Sequence, residues 1–317
     1  MTDILFGLET DAVLPAGPSP AAKWDEDVAR RSLDELFIVA RQYKSGREYR
    51  ELLEFVARFR FYSPFNAMLI HFQMPGARYV ATPKRWLHNY SRRIKTGSRP
   101  LVLLQPMGPV MFAFDVSDTE PIAGSEKPLP REVENPFEVR GGRLNGELTL
   151  TIENAKRDGV AVMQRDAGSQ SAGAIRRAGS RSTLQVMVKR RPVPEHAYIP
   201  FRYEVLVNSR HSDEAQYATL AHELAHLYCG HLGTPDTRWW PDRRGLPSAI
   251  HEFEAESVCF LVCSRLGIEN PSAEYLSRYI NGNDEIPPIS FECVMKAAGL
   301  IEQMGRERLP LRKEKAK

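Results

Sequence analysis

The chain has 317 residues, of which 42% are hydrophobic and 26% are charged, and its formal net charge is +3. This length allows one large domain or two smaller ones, and so mild a charge does not by itself indicate nucleic acid as a partner. No stretch approaches eighteen apolar residues and the N-terminus lacks a basic start followed by an apolar run, so we predict neither a membrane span nor a signal peptide.

The cysteine pattern indicates reduced thiols. None of the four cysteines forms a Cys-x-x-Cys pair, which argues against a zinc ribbon. Three of them lie in apolar helical contexts, where a cysteine is most often a small buried side chain. We therefore predict free thiols and a cytoplasmic protein. The cysteines are Cys229, Cys259, Cys263 and Cys293.

The first third of the chain is predicted to be mostly helical. A flexible lead-in (1–24) precedes a helix over 27–43, and Ser45, Ser63 and Thr82 are placed to cap three further helices over 46–61, 63–73 and 82–94. Two short apolar runs follow, over 100–107 and 109–117, and they predict paired strands. The polar, proline-rich stretch 121–141 is the predicted linker.

The remainder alternates between strand and helix patterns. We predict a helix or strand-helix over 146–159, strands over 160–164, 184–189 and 202–209, and a loop over 168–182. Helices are expected around 220–231, 248–267, 271–280 and 290–305, with a loop over 232–246 and a disordered tail over 308–317. The strand over 202–209 is expected to be the edge strand beside the first of these helices.

A His-Glu-x-x-His motif predicts a metal site. His222 and His226 are four residues apart, so on a helix both imidazoles face one metal ion. Glu223 lies beside them and is the candidate general base that takes a proton from a metal-bound water. The alternative is a buried helix that happens to carry two histidines, but the neighbouring Ala221 and Ala225 leave room for a metal.

The third ligand is expected on the following helix. A metzincin would need Gly at 229 and His at 232, and the chain has Cys229 and Leu232, so that class is excluded. Glu252 and Glu256 are four apart, and in the two-helix zincin plan the first acid binds the metal and the second orients a ligand histidine. We assign Glu252 as ligand and Glu256 to the outer shell. His251 is a weaker alternative ligand, His231 is expected to cap the helix end, and Glu254 to point to another side.

A basic segment in the first third indicates a polyanion-binding surface. Seven basic residues and no acidic one lie between residues 78 and 99, interleaved with Tyr79, Trp86 and Tyr90. Basic side chains follow phosphates and aromatic rings stack on unpaired bases. The alternative, equally compatible with composition, is a solvated helix whose Trp86 and Leu87 face the core. The candidate nucleic-acid-binding residues are Arg78, Lys84, Arg85, Tyr90, Arg92, Arg93, Lys95 and Arg99.

The same region resembles the N-terminal, single-stranded-DNA-binding domain of ArdC-type antirestriction proteins. The matching residues are an aromatic-Ser-x-x-Asn helix start (Tyr62, Ser63, Asn66), a central Trp86, a Lys-x-Gly turn (Lys95, Gly97) and a Phe-Asp-x-x-x-Thr ending (Phe114, Asp115, Thr119). Those proteins join this domain to a His-Glu-x-x-His metallopeptidase-like domain related to the ImmA/IrrE family.

The resemblance implies an α+β protein with a helix-rich DNA-binding domain over 25–120 and a zincin-like metallopeptidase domain over 142–307. It implies one Zn²⁺ per chain, single-stranded DNA and an unknown protein substrate as partners, and a role in antirestriction or in cleavage of DNA-associated proteins. Other divalent ions also suit a His/His/Glu site. Two alternatives stay open: a DNA-binding protein with a purely structural metal, and a regulatory peptidase that cleaves a transcriptional repressor.

Overall fold

The computed structural model describes residues 45–105, 108–124, 127–129, 133, 142–166, 173–179, 182–189, 192–268, 272, 276 and 285–313. The predicted lead-in (1–24) and the helix over 27–43 lie outside these residues, as does the helix over 271–280 except for residues 272 and 276. The chain divides into an N-terminal unit, which contains residues 54–138, and a C-terminal unit, which contains residues 44–53 and 139–317. The domain boundaries drawn from the sequence stay a prediction.

The described residues form a mixed α+β structure, which confirms the predicted fold class. The helices are α1 (Gly46–Arg58), α2 (Pro64–Gln73), α3 (Pro83–Tyr90), α4 (Glu147–Arg157), α5 (Asp213–Tyr228), α6 (Ser248–Leu266) and α7 (Phe291–Arg306). The strands are β1 (Val80–Ala81), β2 (Arg92–Ile94), β3 (Leu101–Gln105), β4 (Gly108–Asp115), β5 (Thr119–Pro121), β6 (Val160–Arg165), β7 (Gly173–Arg177), β8 (Thr183–Lys189), β9 (Glu195–Pro200) and β10 (Tyr203–Asn208).

The caps predicted for the N-terminal unit are present. The Ser63 hydroxyl accepts from the Asn66 amide and the Thr82 hydroxyl from the Arg85 amide, and a proline follows each cap. Helix α3 is shorter than predicted, because Ser91 adopts a left-handed conformation (φ 48°) and ends it. The chain then continues as β2, which pairs with β5, so Arg92 and Arg93 lie on a strand rather than a helix.

A three-stranded antiparallel sheet, in the order β1-β4-β3, completes the N-terminal unit. The Asn66 side chain ties α2 to it, with hydrogen bonds of 3.0 Å to both the amide and the carbonyl of Leu104. The predicted linker contributes Leu129 and Val133 to the core cluster around Trp86, so part of it packs against this unit.

In the C-terminal unit, β10 lies at the centre of a sheet in the order β6-β10-β7 and pairs parallel to β6 and antiparallel to β7. This corrects two predictions: residues 202–209 form the central strand rather than an edge strand, and the predicted loop over 168–182 contains the edge strand β7. Strand β7 also packs on α5. A two-stranded hairpin, β8 and β9, lies between β7 and β10 in sequence.

The C-terminal unit is built on the packing of α5 against α6, with α7 against both. The three helices bury mainly aliphatic side chains, including Leu220, Leu224, Val258, Leu261 and Ile301. Residues 308–313 differ from the disordered tail suggested by the sequence, because Arg312 forms an ion pair of 2.7 Å with the buried Asp158. Among the described helices, none has the length and apolar character needed to cross a membrane.

Candidate metal centre

Helix α5 presents the two histidines of the motif on one face. Its N-cap is Ser212, whose hydroxyl accepts from the Ala215 amide. The acidic side chains in its first turn interact favourably with the positive end of the helix dipole. The ring of His222 lies next to that of His226, and their Nε2 atoms are 3.2 Å apart. The spacing of four residues therefore brings both imidazoles together, as the helical pattern requires.

Helix α6 adds Glu252 to this pair. The carboxylate oxygens of Glu252 lie 3.6 Å from Nε2 of His222 and 3.6 Å from Nε2 of His226. One donor atom from each of the three residues falls within 4.8 Å of the others. Two imidazole nitrogens and a carboxylate are a donor set that zinc accepts, with one position left for water or substrate. The three predicted ligands thus converge on one point and fit a zinc ion.

Glu256 approaches the far side of the first histidine. Its Oε1 lies 3.6 Å from Nδ1 of His222, the nitrogen that does not face Glu252. A carboxylate at this nitrogen favours the tautomer whose Nε2 is free to bind a metal. The position of Glu256 supports the outer-shell role proposed for it.

The charges of the cluster favour cation binding. Burial lowers the pKa of His222, but the hydrogen bond to Glu252 and the charge of Glu256 outweigh it and raise the pKa to about 9. The hydrogen bond to His222 lowers the pKa of Glu252. Burial lowers the pKa of His226, and the neighbouring His222 lowers it further. One positive charge, on His222, is therefore favoured at this point of the molecule, and a second one, on His226, is disfavoured.

Glu223 is buried beside the cluster, with 9% of its surface exposed. Burial raises the pKa of its carboxyl group, and a backbone hydrogen bond with Ile175 of β7 opposes that rise. A carboxylate whose pKa is shifted towards neutrality is a better proton acceptor at physiological pH. The edge strand that reaches Glu223 is the one that the sequence predicted to be a loop.

The sequence did not predict the side-chain contacts of two residues, His231 and Glu254. His231 helps to cap the end of α5 through its backbone N–H, which donates to the His226 carbonyl at 2.9 Å, as expected. Its side chain makes the unpredicted contacts: Nδ1 lies 3.0 Å from Nδ1 of His226 and Nε2 lies 2.9 Å from Oε2 of Glu254. Glu254 does lie on a different side of α6 from Glu252, as expected, but it is fully buried and faces His231. The sequence contained one signal for a buried glutamate, because the apolar helix predicted over 248–267 carries three glutamates. His251, the weaker alternative ligand, stacks on His231 at 4.1 Å.

Cys229, His231 and Glu254 form a second compact group, with one potential ligand atom from each residue within 4.8 Å of the others. Arg243 already supplies the cation here, through hydrogen bonds of 2.6 and 2.7 Å to the two oxygens of Glu254. Burial raises the pKa of the Cys229 thiol, which therefore stays protonated. This second group therefore contains a buried ion pair between Glu254 and Arg243 and is not a metal centre.

The basic segment of the N-terminal unit is only partly solvated. Arg92 donates to the hydroxyl and the carbonyl of Thr119, Arg93 pairs with Glu120 at 2.7 Å, and Lys95 donates to the Ser117 carbonyl. Arg92 and Arg85 are half-buried, whereas the remaining basic residues of the segment are exposed. The exposed ones are Arg78, Lys84, Arg93, Lys95 and Arg99.

The aromatic residues of this segment belong mainly to the core. Trp86 is fully buried and its indole N–H donates to the Phe114 carbonyl at 2.9 Å. Tyr90 is half-buried, and its hydroxyl shares a hydrogen bond of 2.8 Å with that of Tyr79. The alternative prediction that Trp86 faces the core is therefore confirmed. The same alternative also placed Leu87 in the core, and this was wrong, because Leu87 is 48% exposed.

Comparisons with known proteins point to the same helices. Residues 177–261 match a peptidase-family model described as the IrrE N-terminal-like domain. A metal-free crystal structure of the antirestriction protein ArdC from plasmid R388 is similar at 12% identity and a TM-score of 0.31, over 77% of this chain and 82% of that one. At this TM-score the second similarity carries no argument. No curated protein matches the chain.

The matched residues include α5 and the N-terminal part of α6, and with them His222, Glu223, His226 and Glu252. Residues 177–261 are therefore similar to an IrrE N-terminal-like domain.

Proposed function

We propose that the C-terminal unit binds one zinc ion through His222, His226 and Glu252 and hydrolyses a peptide bond with Glu223 as general base. The observation that carries the proposal is the convergence of the three donors within 4.8 Å. Their chemistry is that of a catalytic zinc site, which has three protein ligands. The match to a peptidase-family model over the same residues supports this assignment.

The roles of the protein groups follow from their surroundings. When bound, zinc would supply a Lewis acid that polarises the scissile carbonyl and lowers the pKa of water. Glu223 is buried on α5, the helix that packs against β7. It accepts the proton of the attacking water and passes it to the leaving amine. Its buried carboxyl favours this exchange because its pKa is raised.

We further propose that the N-terminal unit binds single-stranded DNA through its basic segment. Five exposed cations between residues 78 and 99, with no acidic residue in that stretch, support an electrostatic contact with phosphates. The contact depends on charge more than on stacking, since Trp86 is fully buried and Tyr90 is half-buried. The segment suits a protein that cleaves DNA-associated proteins or one that protects incoming DNA from restriction.

Proteolysis is favoured over a purely structural metal by one residue. A structural zinc has no need of a general base, yet Glu223 is buried directly beside the candidate ligands. Cleavage is to be measured first in the presence of single-stranded DNA, because we propose that the N-terminal unit binds it.

The test uses the full chain loaded with zinc. Wild type and Glu223→Gln are incubated with DNA-binding proteins, with and without single-stranded DNA, and the products are identified by mass spectrometry. We expect equal zinc content, cleavage by wild type, and a loss of about 10²- to 10⁴-fold in Glu223→Gln. Asp213→Asn, exposed on the same helix, is the matched control and should cleave normally. Equal cleavage by both proteins would remove Glu223 as base, and zinc without any cleavage would favour the structural metal.

A further inference from the structure

A buried chain of hydrogen bonds leads away from the second histidine of the metal centre. Nδ1 of His226 lies 3.0 Å from Nδ1 of His231, and Nε2 of His231 lies 2.9 Å from Oε2 of Glu254. The side chain of His231 is 2% exposed and that of Glu254 is 0% exposed. Water therefore plays little part in this chain, and each nitrogen depends on its protein neighbour for a hydrogen bond.

The protonation state of Glu254 is fixed by the number of donors around it. Oε2 accepts from His231 and from Nη1 of Arg243 at 2.6 Å, and Oε1 accepts from Nη2 of Arg243 at 2.7 Å and from the Ser290 amide at 2.7 Å. A carboxylate has about four acceptor sites, and these four donors fill them. Glu254 is therefore ionised, and no site on it is left for a proton or a metal.

An ionised Glu254 determines where the ring protons lie. His231 must carry a proton on Nε2 to donate to the carboxylate, so a neutral His231 has a bare Nδ1. Since that bare nitrogen is 3.0 Å from Nδ1 of His226, His226 must carry its proton on Nδ1. The Nε2 atom of His226 is then bare, and this is the atom that faces Glu252 and His222.

We propose that His231 and Glu254 are positioning residues that set the tautomer of His226 before any metal binds, a role that rests on the proposed metal site. The carboxylate of Glu256 faces Nδ1 of His222 at 3.6 Å with no side chain between them, whereas Glu254 acts on His226 through an intervening imidazole. Arg243 neutralises the buried carboxylate at the end of the chain. His226 thereby offers a bare Nε2 to the point that faces Glu252 and His222 before any metal is present.

The tautomer is measured directly in the metal-free full-length protein. Nitrogen-15 NMR of the histidine rings should show His226 with its proton on Nδ1 in wild type. In His231→Phe, which keeps a ring to stack on His251 but has no hydrogen-bonding atoms, the two tautomers of His226 should mix. A wild-type His226 protonated on Nε2 overturns the proposal, as does a His231→Phe spectrum in which the tautomer is unchanged.

Zinc affinity is the second readout, obtained by competition with a chelating dye. His231→Phe and Glu254→Gln should each bind zinc about 10- to 100-fold more weakly, the usual range for outer-shell changes. His231→Gln, which keeps one acceptor and one donor, should recover most of the affinity. If His231→Gln binds as weakly as His231→Phe, and both unfold at the same temperature, the positioning role is excluded.

The control separates positioning from general stability. Glu302 forms another buried ion pair in the same unit, with Arg265, and it makes no contact with the metal centre among the contacts of the described residues. Glu302→Gln should lower the melting temperature and leave zinc affinity unchanged; an equal loss of affinity there would make the Glu254 effect merely structural. A wild type that binds no zinc would instead refute the proposed function, while the NMR measurement still decides the tautomer.

Discussion

Oε1 of Glu256 lies 3.6 Å from Nδ1 of His222, the ring nitrogen opposite the one that faces Glu252. One histidine thus lies between two glutamates of the same helix, one at each nitrogen. The arrangement assigns different tasks to two residues that are identical in type and four apart in sequence, and substitutions can distinguish them.

Glu252→Gln should reduce zinc affinity more than Glu256→Gln. The first change weakens a donor that faces both histidines, and the second removes only a partner of His222, which typically costs about 10- to 100-fold. Zinc competition titration measures both. Glu292→Gln, exposed on α7, is the control and should bind like wild type. The opposite order of affinities would exchange the two roles.

Replacing Arg78, Lys84 and Arg99 together by glutamine should weaken binding to single-stranded DNA. These three side chains are exposed, unlike the half-buried Arg92, so the fold should be retained. Each lost phosphate contact should reduce the slope of log K against log salt by about 0.7. A triple change of Arg47, Arg238 and Lys296, exposed elsewhere, serves as control. Equal slopes for the two triple variants would argue against the basic segment as the DNA site.

Trp86→Ala should strongly destabilise the protein. The side chain is fully buried and its N–H is bonded to the Phe114 carbonyl, so its loss leaves a cavity and an unpaired acceptor. Such changes cost about 3–5 kcal/mol. Leu87→Ala, at the neighbouring exposed position, should change the free energy of unfolding by no more than about 0.5 kcal/mol. Thermal and urea unfolding compare the two, and similar losses would contradict the burial of Trp86.

His71 should make the protein sensitive to acid. Burial, with a smaller contribution from the charge of Arg58, lowers the pKa of His71 to about 4, below its unfolded value of about 6.5. Between these values the unfolded chain binds the proton more readily, so stability is full above pH ~6.5 and falls as the pH drops towards ~4. Urea midpoints across this range measure the effect.

His71→Phe keeps a ring beside Phe55 and removes the titrating group, so it should lose less stability in acid than wild type. His88→Gln, exposed on α3, should keep the wild-type sensitivity. An unchanged acid response in His71→Phe would show that other groups cause it.

Local signals in the sequence predicted several of the described helices, although α5 begins at Asp213, before the expected segment 220–231. Ser63 and Thr82 cap α2 and α3 as expected, because cap preference depends on neighbours within a few residues. The same holds for the spacing of His222 and His226. Residues of the ArdC-like pattern have structural contacts here: Asn66 bonds to Leu104, and Asp115 accepts from the Arg78 and Tyr79 amides.

Strand β7 was missed because its cause is not local. The residues on either side of β7 are rich in glycine and serine, and the strand itself is not apolar. It nevertheless pairs with β10 along its whole length. A Cβ at Gly173 would lie 2.4 Å from the Thr219 side chain and 2.8 Å from the Leu206 carbonyl, so glycine allows this close approach to α5 and β10. The role of His231 was missed for a similar reason, since Arg243 and Ser290 reach Glu254 from distant parts of the chain.

The full set of donors around Glu254 limits how this part of the chain can vary. Loss of His231 or Arg243 alone would leave a buried charge or polar atom unpaired, and such single changes are among the most costly in a protein interior. Replacing the three side chains together by apolar residues of similar volume removes the buried charges, and the Ser290 amide then needs another acceptor. Substitutions at His231, Arg243 and Glu254 should therefore be strongly non-additive.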